Sequence, residues 1–314
     1  MASTILSEIS DGTGTLVLNR PERINAVTRE MVDRMSQILH SWVDDDSVER
    51  VVLRGAGERG FCAGADVRAL RDEIVAGHAD RALDFLNAEY ELEQFIAYYP
   101  KPVTSHLSGI SMGAGLGIGL HNTTSIGEVG SRWAMPETAI GLWPDVGVCF
   151  ELSRTPGHLG EYLAMSGETI NGAGAYWAGL MTKCDGCADP GDSALAGSRD
   201  WIDECFGADS APAIMAALES HPDRDARAAA AIIRERNPLS VWVALQAVRN
   251  ARRLAEVAEV FDQDRRLAAG FMANPADFVE GVRAKMVDKD QSPQWSYQRI
   301  EDVDPAVVAS RFGG

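Results

Sequence analysis

Two glycine-containing segments of this 314-residue sequence each follow a predicted strand, and both could bring main-chain N–H groups close to a ligand. The first segment is Phe61-Cys-Ala-Gly-Ala-Asp66. The second runs from Ser108 to Gly119 and has glycine at four of its last seven positions. Because glycine has no Cβ, a backbone that contains it can approach another group closely. We therefore expect these segments to bind an anion or a developing oxyanion.

A nucleophilic serine is one interpretation of the second segment. Gly109-Ile-Ser111-Met-Gly113 matches the GxSxG turn that carries the serine of many hydrolases between a strand and a helix. Such enzymes need an acid and then a histidine further along the chain, and Asp145 followed by His158 or His221 satisfies that order. The helical pattern after residue 200, however, provides no late strand from which a catalytic histidine loop normally extends.

Two other interpretations do not involve the serine. In one, the glycines only let a helix pack closely on a sheet. In the other, the N–H groups of Ala63 and Ala114 donate to a single carbonyl oxygen. Such an oxyanion hole stabilises the charge that forms when a thioester is attacked or enolised. The last interpretation accounts better for the presence of two similar segments.

The elements that must position these segments follow from the hydrophobic pattern. Apolar residues at helical spacing after the potential cap Thr28 predict a helix, and a second helix is predicted over residues 79–98. Strands are predicted over Gly14–Asn19, Arg50–Arg54 and Val103–Leu107. Strands alternate with helices up to about residue 180, whereas the later pattern is nearly all helical. This predicts an α/β catalytic core over residues 1–200 and a helical C-terminal region over residues 201–314.

A further glycine motif, Gly55-Ala-Gly-Glu-Arg-Gly60, follows a predicted strand and matches the GxGxxG pattern of dinucleotide-binding folds. In those folds the glycines open a helix, whereas here Phe61–Asp66 intervenes. The acidic ribose ligand expected about 20 residues later has no strand to carry it. The match is weak, and we predict no resident cofactor.

Composition and charge exclude several classes of function. The formal net charge of −17 would repel polyanions, which disfavours nucleic-acid binding. No apolar run approaches the roughly 18 residues that span a bilayer, and the start lacks a basic leader, so we expect a cytoplasmic protein. The five cysteines do not resemble a disulfide framework. Cys184-Asp-Gly-Cys187 lacks the further ligands of a zinc site, so we expect an ordinary loop there and no metal.

Several short motifs resemble the crotonase (enoyl-CoA hydratase/isomerase) superfamily. They are Leu18-Asn-Arg-Pro21 with Asn25-Ala26, Phe61–Asp66, Gly109 with Gly113-Ala-Gly115, and Met135-Pro-Glu137. Within the superfamily, the sequence is most similar to the 3-hydroxyisobutyryl-CoA hydrolase family, through Ala134–Gly141, Pro144–Gly147, Asp277–Arg283 and Asp288–Trp295. The resemblance extends over residues 14–295. It implies an α/β spiral of ββα turns and a helical C-terminal region that contributes to assembly and covers the active site.

The resemblance also implies a chemistry. It indicates hydrolysis of an acyl-CoA thioester, most closely that of 3-hydroxyisobutyryl-CoA in valine degradation, with coenzyme A as part of the substrate. The apolar positions of the helical C-terminal region predict a homo-oligomer. Glu137 is then the general base or nucleophile, Asp145 orients the substrate hydroxyl or the attacking water, and Glu89 helps to bind that hydroxyl. The other predicted substrate-binding residues are Gly64, Asp66, Gly113 and Gly115. Glu22 stands where the family often has a lysine that contacts coenzyme A, so we expect Arg23 or Arg68 to make that contact instead.

Gly117 argues against the alternative function of an enoyl-CoA hydratase or isomerase. By resemblance, it stands where hydratases of the superfamily carry one of two catalytic glutamates, and glycine cannot transfer a proton. A non-catalytic acyl-CoA-binding protein is a further alternative, but it would have no need of both Glu137 and Asp145. Thioester hydrolysis requires less acid assistance, because a thiol with a pKa of about 8.5 leaves readily.

We expect the protein to hydrate crotonyl-CoA slowly or not at all, because Gly117 provides no carboxyl group. The measurement is the ultraviolet absorbance of the conjugated thioester over time. Rapid loss of that absorbance without release of free thiol would contradict the prediction and favour a hydratase or isomerase.

Overall fold

Ten strands form two sheets in the computed structural model, which describes residues 3–187 and 193–313. The strands are β1 (Ile5–Ser10), β2 (Thr13–Leu18), β3 (Arg50–Gly55), β4 (Gly60–Cys62), β5 (Val103–Leu107), β6 (Ile110–Met112), β7 (Thr124–Glu128), β8 (Arg132–Ala134), β9 (Ile170–Asn171) and β10 (Lys183–Asp185). The larger sheet has the order β1-β2-β3-β5-β7-β10 and is antiparallel only between β1 and β2. The smaller sheet has the order β4-β6-β8-β9 and is antiparallel only between β8 and β9.

Fifteen α-helices surround these sheets within the described residues. They are α1 (Arg29–Val43), α2 (Val67–Val75), α3 (Ala79–Ala97), α4 (Ala114–Leu120), α5 (Val148–Leu152), α6 (Leu159–Ser166), α7 (Gly172–Trp177), α8 (Ala194–Gly197), α9 (Arg199–Phe206), α10 (Ala211–Ser220), α11 (Arg224–Arg234), α12 (Pro238–Ala251), α13 (Val257–Ala273), α14 (Ala276–Val282) and α15 (Pro305–Arg311). Short 3₁₀ turns cover Pro21–Arg23, Glu137–Ile140 and Ile300–Asp302, and a π-helical turn covers Arg283–Val287.

The chain passes repeatedly from the larger sheet to the smaller one and then into a helix. β3 leads to β4 and α2, β5 leads to β6 and α4, and β7 leads to β8. This repetition builds a spiral of ββα turns. The described strands all precede residue 186, and helices dominate the chain from Ala194 onward. The domain boundary at residue 200 itself stays a prediction.

Several elements lie where the sequence predicts them. Thr28 caps α1, with its hydroxyl accepting the Met31 N–H at 3.3 Å, and β5 has the predicted bounds. The Gly55–Gly60 motif differs from a dinucleotide-binding turn, because it leads into β4 and opens no helix. In the part of the chain that the structure describes, no helix is both long and apolar enough to cross a membrane.

Cysteine pairing departs from the prediction at one place. Cys184 and Cys187 form a disulfide at the end of β10, with their Cα atoms 5.5 Å apart. The expectation of an ordinary loop is wrong, because the left-handed turn at Gly186 folds the two residues back within bonding distance. Cys62, Cys149 and Cys205 are buried free thiols.

Gly117 in α4 lies directly against the side chain of Glu93 from α3. A Cβ atom at position 117 would be 2.3 Å from Glu93 Oε1 and 2.6 Å from the Cβ atom of Val146. Close-packed interiors cannot absorb such overlaps without moving their neighbours. The packing of Glu93, a fully buried carboxyl group that no sequence motif indicated, therefore requires glycine at this position.

Gly117→Ala is expected to destabilise the fold by about 1–3 kcal/mol, because the new methyl group overpacks this contact. Adding Glu93→Ala should restore part of the loss, while Val146 still limits the fit. Thermal unfolding of the single and double variants measures both effects. Gly197→Ala is the matched control, since a Cβ atom there meets nothing within 4 Å. Equal unfolding temperatures for Gly117→Ala and the unmodified protein would contradict the packing argument.

Candidate active site

Two turns meet at the carboxyl ends of β4 and β6. These strands are parallel neighbours, so the residues that follow them lie at the same edge of the smaller sheet. Gly64 and Gly113 both have positive φ angles, of +100° and +50°. A Cβ atom on Gly64 would be 3.2 Å from the carbonyl oxygen of Met112, and one on Gly113 would be 3.5 Å from the Cα atom of Gly64. The two turns therefore pack main chain against main chain.

The amide donors at this edge differ from the predicted pair. The N–H of Ala63 donates to the carbonyl oxygen of Ile24 at 2.9 Å, so the prediction of Ala63 as an oxyanion donor is wrong. That amide instead fixes the turn that precedes Val27. The N–H groups of Ala65 and Ala114 donate to no acceptor within residues 3–187 and 193–313. Both residues line one cavity, which makes Ala65 and Ala114 the available donors.

A cavity of about 70 Å³ faces these two amides. It brings together the three predicted acids Glu89 from α3, Glu137 from the 3₁₀ turn and Asp145 from the loop before α5. Glu137 Oε1 lies beside the second turn, 3.0 Å from where a Cβ atom of Gly113 would stand. The remaining walls are largely apolar and include Val67, Leu70, Leu86, Ile140, Leu142 and Met286.

Tyr90 and the local backbone position Asp145. The Tyr90 hydroxyl donates to Asp145 Oδ2 at 2.6 Å, and both side chains are buried. The next residue, Val146, has a φ angle of 54°. A positive φ is a true outlier for a β-branched residue and costs free energy that the surrounding contacts must offset.

Asp264 from α13 supplies those contacts. Its Oδ1 accepts the indole N–H of Trp143 at 2.9 Å, and its Oδ2 accepts the main-chain N–H of Gly147 at 2.8 Å. Asp264 is fully buried, so these two bonds satisfy both of its carboxyl oxygens. The helical C-terminal region thus holds both ends of the loop that carries Asp145.

Burial controls the protonation of the acids around the cavity. It raises the pKa of Glu137 and of Glu89 well above the usual range, and the neighbouring charge of Asp145 raises both further. Burial likewise raises the pKa of Asp145, to about 6. Glu93 behind the cavity is raised as well, first by burial and then by the charge of Glu89. Neither carboxyl oxygen of Glu93 has a hydrogen-bond partner among the described residues. A carboxyl group desolvated in this way is a stronger base once it is ionised.

Two of the predicted substrate-binding residues have structural roles. Asp66 caps α2 by accepting the Ala69 N–H and forms an ion pair with Arg20 at 3.1 Å. Gly115 does not line the cavity, and a Cβ atom there would be 2.6 Å from the carbonyl oxygen of Cys62. Gly115 instead lets α4 approach the end of β4, which brings the two turns together.

The two arginines predicted to bind coenzyme A, Arg23 and Arg68, lie in different environments. Arg23 is exposed on the 3₁₀ turn after β2. The Arg68 guanidinium donates to the carbonyl oxygen of Met286. A second cavity, of about 370 Å³, adjoins the first and shares Leu70 with it. Arg29, Arg81 and Asp66 are among its lining residues.

Sequence reasoning predicted the donor Ala114, which opens α4 where a helix leaves N–H groups unpaired. It missed Ala65, because that residue precedes Asp66, the N-cap of α2, and lies outside the helix. Tyr90 directly follows the predicted residue Glu89 on α3, but its bond to Asp145 joins residues 55 positions apart. Asp264 and Met286 reach the site from the C-terminal region, and no local pattern indicates these contacts.

The arrangement does not support a nucleophilic serine. Ser111 lies inside β6, is fully buried, and its hydroxyl has no partner in the part of the chain that the structure describes. His158 contacts Glu161, and His221 contacts Glu204. Neither histidine is hydrogen-bonded to Ser111, so the relay that such a serine needs is not formed.

Comparison with known proteins adds sequence relatives that span the chain. The family model described as enoyl-CoA hydratase/isomerase matches residues 13–189 and 185–312. The 3-hydroxyisobutyryl-CoA hydrolase 1 of Arabidopsis thaliana is 33% identical, over 99% of this chain and 91% of the relative. The protein named 3-hydroxyisobutyryl-CoA hydrolase, mitochondrial, from Xenopus tropicalis is also 33% identical, over 95% of this chain and 86% of the relative.

Solved structures agree with the architecture along the whole chain. A carnitinyl-CoA dehydratase from Mycobacterium thermoresistibile superimposes with a TM-score of 0.93 and 37% identity, covering 99% of this chain and 96% of its own. An enoyl-CoA hydratase from Rhodobacter sphaeroides gives a TM-score of 0.94 and 33% identity, covering 99% and 97%. The predicted ββα spiral with a helical C-terminal region is confirmed by these matches.

The raised pKa of Asp145 predicts a pH-dependent loss of stability. Its pKa rises from 3.8 to about 6 on folding, so the folded protein holds this proton more tightly than the unfolded chain does. The stabilisation is complete below pH 3.8 and is lost as the pH rises through about 6. Its size is about 3 kcal/mol.

Denaturant unfolding between pH 4.5 and 7.5 checks this prediction. Asp145→Asn keeps an oxygen that can accept the Tyr90 hydroxyl but cannot titrate. The variant should therefore lose less stability than the unmodified protein as the pH rises. Parallel pH dependences for the two proteins would show that Asp145 is not the responsible group.

Proposed function

The chain belongs to the enoyl-CoA hydratase/isomerase family, the crotonase superfamily, and on this premise we propose that it hydrolyses acyl-CoA thioesters. One observation carries the proposal. A single cavity combines the amides of Ala65 and Ala114, which donate to no described acceptor, with the buried carboxyl groups of Glu137 and Asp145. The protein is accordingly a thioester hydrolase of this family.

The two amides supply the oxyanion hole. The thioester carbonyl oxygen accepts both N–H groups, and its developing negative charge is stabilised at no cost of reorganisation, because the donors are fixed main-chain groups. Loss of one such donor typically costs about 3–4 kcal/mol of transition-state stabilisation. The glycines at positions 64 and 113 keep the turns close enough for both amides to reach one atom.

Glu137 provides the base for the attack. Its ionised carboxylate takes a proton from water, and the resulting hydroxide adds to the carbonyl carbon. When the tetrahedral intermediate collapses, coenzyme A leaves as a thiolate and the acyl group leaves as a carboxylic acid. Direct attack by the Glu137 carboxylate, followed by hydrolysis of the anhydride, uses the same groups. Burial makes Glu137 more basic than an exposed glutamate, which favours either route.

The acyl group is short and carries a 3-hydroxyl. Relatives along the chain are named 3-hydroxyisobutyryl-CoA hydrolases, and the cavity of about 70 Å³ has room only for a small group. Glu89 and Asp145 offer acceptors for the hydroxyl on the cavity wall. We therefore propose 3-hydroxyisobutyryl-CoA as the substrate and valine degradation as the pathway.

The coenzyme A part of the substrate must extend out of the cavity that holds the acyl group. The adjoining cavity of about 370 Å³ shares Leu70 with the first, and its wall contains Arg29 and Arg81 together with the carboxyl groups of Asp66, Glu73 and Asp84. Arg23 and Arg68 remain predictions for the phosphate contacts. Assembly as a homo-oligomer and a cytoplasmic location also stay predictions.

Hydration or dehydration of an acyl-CoA is a second candidate function. The similarity to a carnitinyl-CoA dehydratase, at 37% identity, favours it. The position of Glu93 does not, because its carboxyl oxygens are buried behind the cavity and it is not a lining residue. Thiol release from saturated acyl-CoAs separates the two functions, since only a hydrolase frees the thiol.

Glu137→Gln is expected to lower kcat for thiol release from 3-hydroxyisobutyryl-CoA at least about 100-fold, because the amide cannot accept a proton. The fold and the affinity for free coenzyme A should change little. A thiol-reactive dye measures kcat, and calorimetry measures coenzyme A binding.

Glu91→Gln is the matched control for this variant. Glu91 is an exposed glutamate on α3, two residues after Glu89, and it does not line the cavity. It should retain full activity. Retention of more than a few per cent of kcat by Glu137→Gln would reject Glu137 as the base or nucleophile.

A further inference from the structure

The cavity that contains Glu89, Glu137 and Asp145 is called the acyl cavity below. One residue of its wall comes from the C-terminal half of the chain. Met286 lines the cavity, whereas its other lining residues lie between Ala63 and Asp145. Met286 belongs to the π-helical turn Arg283–Val287, which directly follows α14. π-Helical turns are uncommon and often occur at functional sites, because they displace a side chain from its regular helical position.

The backbone of this turn is fixed on two sides. The Arg68 guanidinium, from α2, donates to the Met286 carbonyl oxygen. Arg283 forms ion pairs with Glu280 at 2.8 Å, Asp288 at 2.7 Å and Asp290 at 2.6 Å. These contacts hold the main chain, while the methionine side chain itself is unbranched and adaptable.

The same segment packs closely on the turn that carries Glu137. A Cβ atom on Gly281 would be 2.6 Å from the Cα atom of Ile140, and one on Gly141 would be 2.7 Å from the carbonyl carbon of Asp277. α14 and the 3₁₀ turn Glu137–Ile140 therefore meet backbone to backbone. Because neither side can move independently, the position of Met286 relative to Glu137 is set by this contact.

We propose that Met286 is the residue that limits the size of the acyl group. The inference rests on the proposed thioester hydrolysis and goes beyond it, because it assigns the length limit to one side chain. Met286 is a half-buried side chain in the wall of a cavity of only about 70 Å³. Replacing it with alanine removes part of that wall, and the apolar side chains of Val67 and Leu70 in the same lining provide a surface for a longer alkyl chain.

The test compares kcat/KM for isobutyryl-CoA and hexanoyl-CoA in three variants. Met286→Ala should raise the hexanoyl-to-isobutyryl ratio by about tenfold or more, since a few methylene groups in an apolar pocket change discrimination by such factors. Met286→Phe should lower the ratio. Met286→Leu, of similar volume, is the control and should leave the ratio within about twofold.

Two results would overturn the proposal. One is an unchanged ratio in Met286→Ala. The other is an equal loss for both substrates together with weaker binding of free coenzyme A, which would place Met286 beside the coenzyme. If Met286→Ala does not fold, the opposite shift expected for Met286→Phe still decides the question.

Failure of the proposed function is separately recognisable. If the unmodified protein released no thiol from any acyl-CoA, thioester hydrolysis would be rejected. The size limit would then be measured by calorimetry with non-hydrolysable thioether analogues that carry isobutyl and hexyl groups. Tighter binding of the hexyl analogue to Met286→Ala than to the unmodified protein supports the size limit, and equal binding rejects it.

Discussion

The close main-chain contact between the turns after β4 and β6 is the constraint on which the site depends. Gly64 and Gly113 adopt positive φ angles and approach each other without side chains between them. A Cβ atom on Gly64 would be 3.2 Å from the carbonyl oxygen of Met112 in the other turn, and one on Gly113 would be 3.0 Å from Glu137 Oε1. The proposed oxyanion hole therefore depends on glycine at both positions, where the positive φ angles also disfavour other residues.

Around that contact the protein buries carboxyl groups, and the described residues contain no buried cation that pairs with them. Glu89, Glu93, Glu137, Asp145 and Asp264 are all at most 8% exposed. Their burial lowers stability at neutral pH, because each ionised form loses its hydration. Hydrogen bonds from Tyr90 and Trp143 offset part of this loss. The same desolvation makes the carboxylates more basic, so stability and reactivity are set by one physical cause.

The parts of the fold that depend on local signals could be predicted from the sequence. The Thr28 cap and the buried strand Val103–Leu107 are examples, because capping chemistry and apolar runs act over a few residues. Glu137 and Asp145 were found through their motif. The three-residue strands β4 and β6 were not predicted, because glycine-rich sequence carries little strand signal.

The prediction of Ala63 as an amide donor failed for a different reason. Which amide remains free depends on a hydrogen bond to Ile24, and therefore on tertiary structure. The same holds for the contact of Glu93 with Gly117, and for Asp264 and Met286, whose places at the site depend on packing between distant segments. The wrong expectation for Cys184 and Cys187 reflects a turn whose conformation the residue types alone did not reveal.

The bond between Trp143 and Asp264 joins residues 121 positions apart and has a consequence for biosynthesis. A ribosome completes the spiral of strands long before α13 and α14 emerge, and contacts of such separation close slowly. Until then, the loop of Asp145 lacks the carboxylate that holds both of its ends. A nascent or truncated chain can thus be compact and yet catalytically inert, with activity acquired only in the last steps of folding.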